Sequence, residues 1–186
     1  MRNLISRVPL LVWFLLPTFV LIGVGVWFLG RGDMGTQKDS DAPLAVSRPV
    51  DGTVEFPVVN RTHINEGSNG TDYNSNPPTS GPHWPQWSQN GIVDNSEADE
   101  RYIHNLEHGY VWISYKSDVG QDTIDKLKEI VKSDDWKIIM APRDKNDSKI
   151  ALAAWGRVLN MDSLDEAKVK DFISTYRNRA PERTPD

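Results

Sequence analysis

The chain has 186 residues, 26 acidic and 21 basic side chains, a formal net charge of −5 and no cysteine. One domain of ordinary size fits that length, and disulfides, thiolate zinc sites, iron–sulfur clusters and cysteine nucleophiles are excluded together. Net acidity speaks against general nucleic-acid binding, which needs a basic patch to release counterions.

Residues 9–29 form a 21-residue stretch without a charge. As a helix it would span roughly 31 Å, matching a hydrocarbon core of about 30 Å. Pro9 suits a first helical turn, Pro17 a kink of the kind membrane helices tolerate, and Trp13 and Trp27 sit toward the two interfaces. A cleaved signal peptide would have a shorter apolar region and a small-residue cleavage site. The stretch is therefore expected to be an uncleaved transmembrane anchor. Arg2 and Arg7 precede it, so residues 1–8 are expected in the cytoplasm and the rest of the chain outside. Residues 1–30 carry two arginines and no acid, which leaves 19 basic against 26 acidic groups, net −7, beyond them.

Residues 30–52 are polar, small and aperiodic, and read as a linker. An extracytoplasmic domain is expected over 53–178, followed by a disordered tail at 179–186. A first strand is expected at 53–59. Residues 60–95 show no sustained period and hold four prolines between Pro77 and Pro85, and loops this long are usually functional or disordered. Residues 110–116 (YVWISYK) have the strongest strand signal. A helix is expected at 122–131 from Ile124, Leu127, Ile130 and Val131, then strands at 136–141 and 150–155. A last helix follows, with Ser163 and Glu166 as a capping box and Val169, Phe172, Ile173 and Tyr176 as its apolar stripe. This order predicts an α+β fold, a mixed or antiparallel sheet with about two helices on one face, preceded by one transmembrane helix.

The segment 96–109 admits two readings. As a helix it would have Ser96 as cap and Gly109 as stop. As a hairpin, 101–105 and 110–116 would be strands around a turn at Gly109. The hairpin is favoured, because the strong strand follows at once.

All four histidines fall between positions 63 and 108. Without cysteine, imidazole is the natural transition-metal ligand. His83 ends the loop Pro77-Pro78-Thr79-Ser80-Gly81-Pro82-His83-Trp84-Pro85, whose prolines restrict the backbone. His104 and His108 are four apart, and either reading of 96–109 can bring them together. The expected metal ligands are His83, His104 and His108, with Glu107 as ligand or partner, for copper or zinc. Met140 would favour Cu(I) only if it faced the site, and its apolar neighbours point to the core. No catalytic residue is assigned. Two alternatives stand beside this one. His104-Asn105-Leu106-Glu107-His108 spells H-x-x-E-H, the pattern of a zinc peptidase in which Glu107 activates water. It requires a helix and a downstream acidic ligand, for which Glu129 and Glu166 are candidates. A non-catalytic module would instead present Trp84 and Trp87 to an envelope protein partner. Arg143 is expected to be a surface charge.

Tyr73-Asn74-Ser75-Asn76-Pro77-Pro78-Thr79-Ser80-Gly81-Pro82-His83, then His104-Asn105-Leu106-Glu107-His108-Gly109, Ala141-Pro142-Arg143 and Ala154-Trp155-Gly156, resemble the bacterial family called domain of unknown function 3105. The resemblance covers roughly residues 55–176. It implies a membrane-anchored extracytoplasmic protein, supplies no reaction, and draws attention to His83, His104, Glu107 and His108 ahead of His63.

Overall fold

A computed structural model describes residues 45–182. The expected anchor at 9–29 lies outside them, and so do most of the expected linker and the last four residues of the expected tail. Among the described residues, no helix is long and apolar enough to cross a membrane.

The described chain forms one six-stranded mixed sheet and three helices. The strands are β1 (Val54–Glu55), β2 (Gly91–Ile92), β3 (Val111–Tyr115), β4 (Ile138–Pro142), β5 (Ile150–Ala154) and β6 (Arg157–Met161). The helices are α1 (Asp99–Glu107), α2 (Gln121–Ser133) and α3 (Glu166–Tyr176). Strand order across the sheet is β1-β6-β5-β3-β4-β2. β3 pairs with β4 in parallel and with β5 antiparallel, so the α2 crossover and the β5–β6 hairpin meet on either side of one central strand.

Strand alternation builds two cores. Val111, Ile113 and Tyr115 of β3, with Ile138 and Met140 of β4 and Ile150 and Leu152 of β5, pack against α2 and α3. The intervening Trp112, Ile139, Ala141 and Ala153 pack against Tyr102, Ile103 and Leu106 of α1. Both faces are covered, which explains why these strands read as continuous apolar runs. The expectation of two helices on one face holds for α2 and α3, whereas α1 covers the opposite face.

Several local expectations change. The strand foreseen at 53–59 keeps only two residues in the ladder, and Pro57, which has no N–H to donate, lies just beyond them. β6 was not foreseen. Its Arg157 breaks the apolar pattern, yet it is buried with Nε donating to Glu55 at 2.9 Å and its guanidinium 5.1 Å from the Tyr176 ring. α3 starts two residues later than the capping box suggests, and its cap is Asp165, which accepts from the Lys168 N–H. The linker's end is structured: Val46 and Val50 pack on the core, and the Val50 N–H donates to the Tyr176 hydroxyl.

Candidate metal centre

Residues 99–107 are helical, so the favoured hairpin is corrected. Alternation would have put His104 beside Tyr102 and Leu106 in the core and turned Ile103 outward. The helical period instead buries Tyr102, Ile103 and Leu106 together, with Tyr102 stacked on Trp112 at 4.3 Å between ring centres. Among the described residues no side chain caps the start of α1, where Ala98 is the N-cap. Arg143 serves that end instead. Far from a surface charge, it is 6% exposed and forks onto Asp99 through Nε (2.9 Å) and Nη2 (2.8 Å), while Nη1 donates to Asn76 and Asn146. At the far end Gly109, with φ of 86°, ends the helix as foreseen.

The remaining face of α1 grips the long loop. Glu100 accepts from the Gly70 N–H, and Asn105 exchanges two hydrogen bonds with the backbone of Ser88. Within the loop, residues 62–64 run alongside His83: the His83 N–H donates to the Thr62 carbonyl and the Ile64 N–H to the His83 carbonyl. This short parallel bridge brings His63 to His83.

The four imidazoles therefore meet. Ring centres are 4.8 Å apart for His63 and His83, 5.2 Å for His63 and His104, 5.3 Å for His83 and His104, and 4.9 Å for His104 and His108. Two backbone carbonyls fix protons on two of the rings. His83 Nδ1 lies 2.8 Å from the Gly81 oxygen and His104 Nδ1 2.7 Å from the Trp84 oxygen. A carbonyl only accepts, so each Nδ1 carries its hydrogen and Nε2 is the nitrogen left for an ion; on His83 an ion would displace the proton that Nε2 shares with Glu107. Burial holds the His104 and His108 imidazoles below the usual histidine range, keeping both neutral near pH 7.

Glu107 is 2% exposed and lies 3.0 Å from His83 Nε2 through Oε2. Burial alone would raise its carboxyl, but the bond to His83 and the charges of His83 and Arg61 outweigh it and hold the group below the usual carboxylate range.

The four residues expected as ligands divide between two sets. His83 and His104 group with His63, their ligand atoms all within 4.8 Å of one another; Glu107 and His108 group with Glu182 on the same criterion. His63, given less weight from the sequence, is brought beside His83 and His104. Arg61 and Glu182 were missed. Glu182 sits in a segment expected to be disordered, yet its N–H donates to the Glu107 carbonyl and nearby Ala180 is buried. No local pattern marks either residue, because both reach the site through long-range backbone placement. Glu129 and Glu166 lie on α2 and α3, which cover the opposite face of the sheet, and Met140 faces those helices in the core. Trp84 is committed internally, with its indole donating to Ser68 and the Arg101 guanidinium over its ring. Trp87, 57% exposed, meets His104 and His108 edge-to-face at 5.6 and 5.5 Å.

Fold and site together define a small α+β domain whose long loop, first helix and C-terminal segment close on a histidine–glutamate cluster. Residues 63–186 match the model of the family described as "Protein of unknown function (DUF3105)", and the chain belongs to that family. No curated protein and no solved structure matches it.

Proposed function

We propose that this chain is a membrane-anchored extracytoplasmic domain that binds a transition-metal ion through His63, His83 and His104, with His108 and Glu107 beside them. The observation that carries the reading is the pair of Nδ1–H bonds from His83 and His104 to backbone carbonyls. They fix the tautomer and aim Nε2 toward a common space, the outer arrangement that metal-bound histidines use. An imidazole-rich set without thiolate or thioether suits copper(II) or zinc. The anchor and the location rest on the uncharged stretch at 9–29 and the arginines before it. Titrating copper(II) and zinc into the full chain by calorimetry tests the binding. Dissociation constants below about 10 μM (roughly −7 kcal/mol), lost in His104→Ala, are expected; no binding of either ion, or unchanged binding in that variant, overturns the reading.

A zinc-peptidase reading is favoured by one observation, that the H-x-x-E-H residues lie on and at the end of a helix. Against it, Glu107 is engaged with His83 and flanked by Arg61 rather than open to a water.

A further inference from the structure

The two ligand sets abut rather than coincide. Contacts of 3.0 Å cross the seam twice, from His104 Nε2 to His108 Nε2 and from His83 Nε2 to Glu107 Oε2. The second set, Glu107, His108 and Glu182, draws on α1, its C-cap and the C-terminal segment, whereas two of the three histidines of the first set come from the long loop.

Arg61 divides the oxygens of the two carboxylates. Its Nη1 lies 3.6 Å from Glu107 Oε1 and 3.2 Å from Glu182 Oε1. The other oxygen of each carboxylate faces imidazole: Glu107 Oε2 is 3.0 Å from His83 Nε2 and 3.9 Å from His63 Nε2, and Glu182 Oε2 is 3.7 Å from His108 Nε2. A guanidinium on the outer oxygens orients the inner ones, as hydrogen-bonded partners do for ligating carboxylates. At this end of the cluster two carboxylates face one guanidinium. That arrangement favours a second divalent cation.

We propose that the cluster is a two-ion centre. A first ion is held by His63, His83 and His104, and a second by Glu107, His108 and Glu182, with Glu107 at the seam between them. The inference rests on the metal-binding reading above and goes beyond it in the number of ions and in the roles of Glu182 and Arg61. Protein sites of this kind hold their ions about 3.5–4 Å apart. The mixed imidazole–carboxylate set suits zinc, and the all-imidazole set takes either zinc or copper.

Stoichiometry tests it on the full chain, using zinc by equilibrium dialysis and cobalt(II) by absorption. Two equivalents are expected, the cobalt spectrum developing in two steps. Glu182→Gln, at a side chain 48% exposed, is expected to keep the wild-type melting curve and the first equivalent while weakening the second at least tenfold. A single equivalent in the wild type, or two undiminished equivalents in Glu182→Gln, overturns the two-ion centre and leaves the single-ion reading standing. No bound ion at all overturns both.

Discussion

His104 and His108 stack one helical turn apart with their Nε2 atoms 3.0 Å from each other, and the Trp84 carbonyl already holds the His104 proton on Nδ1. The proton in that contact must therefore come from His108. Among the described residues no carbonyl fixes the His108 ring, whose buried Nδ1 has no hydrogen-bond partner there. His108 can thus be a donor to His104 in one state and a ligand in another, at the cost of one proton moved.

Trp87 touches both of these rings and is largely open to solvent, so it should report on occupancy. Copper(II) is expected to quench the protein's fluorescence, and Trp87→Phe to remove the largest single part of that quench while keeping the affinity within about tenfold, or roughly 1.4 kcal/mol. Parallel fluorescence and calorimetric titrations check it. A quench unchanged in Trp87→Phe would place the ion elsewhere.

Glu107→Gln keeps the shape of the side chain and removes its charge from His83 and Arg61. A loss of about 1–3 kcal/mol is expected, the scale for disturbing a buried hydrogen bond to a charged group, together with weaker metal binding. Denaturant unfolding measures the first and calorimetry the second. Zinc-dependent cleavage of an unstructured peptide that vanishes in this variant, with zinc still bound, would instead support the peptidase reading.

Arg143→Ala strands the Asp99 carboxylate and removes the guanidinium from Asn76 and Asn146. Removing one partner of a buried pair costs about 3–5 kcal/mol. Arg143→Lys should recover only part of that, since an ammonium cannot fork. Thermal melting of both variants ranks them.

Gly109→Ala should destabilise the domain by more than about 1–2 kcal/mol, the cost of the left-handed backbone alone for an L residue. A Cβ there would also sit 2.8 Å from the Asn178 Cα. Because Asn178 N–H donates to the Gly109 carbonyl, the same change should loosen the segment that carries Glu182. Hydrogen exchange over residues 177–182 would show it; unchanged protection would refute the coupling.

Alkali should weaken the fold through two partly buried tyrosines. Burial, reinforced by Glu100 and Asp99, pushes the Tyr73 hydroxyl well above its ordinary 10, and burial pushes Tyr102 up to about 12. Raised values in the folded state mean that their stabilisation is complete below pH 10 and is lost as pH rises above it. Melting temperature is expected to fall between about pH 10 and 12, less steeply in Tyr102→Phe. A flat profile over that window would contradict it.

The chain's own residues settled much of this protein. Unbroken apolar runs specified β3, β4 and β5, and an i, i+3, i+4, i+7 stripe specified α3, because both signals are local and periodic. The absence of cysteine and the spacing of the histidines drew attention to the cluster that His83, His104 and His108 share. Tertiary structure decided the rest. Whether 99–107 became helix or hairpin depended on Trp112, Ile139 and Ala153 offering a face to Tyr102, Ile103 and Leu106. His63 joined His83 through a backbone bridge across twenty residues, and Glu182 reached Glu107 from the far end of the chain. Such contacts depend on where separated segments are held, and no window of sequence contains them.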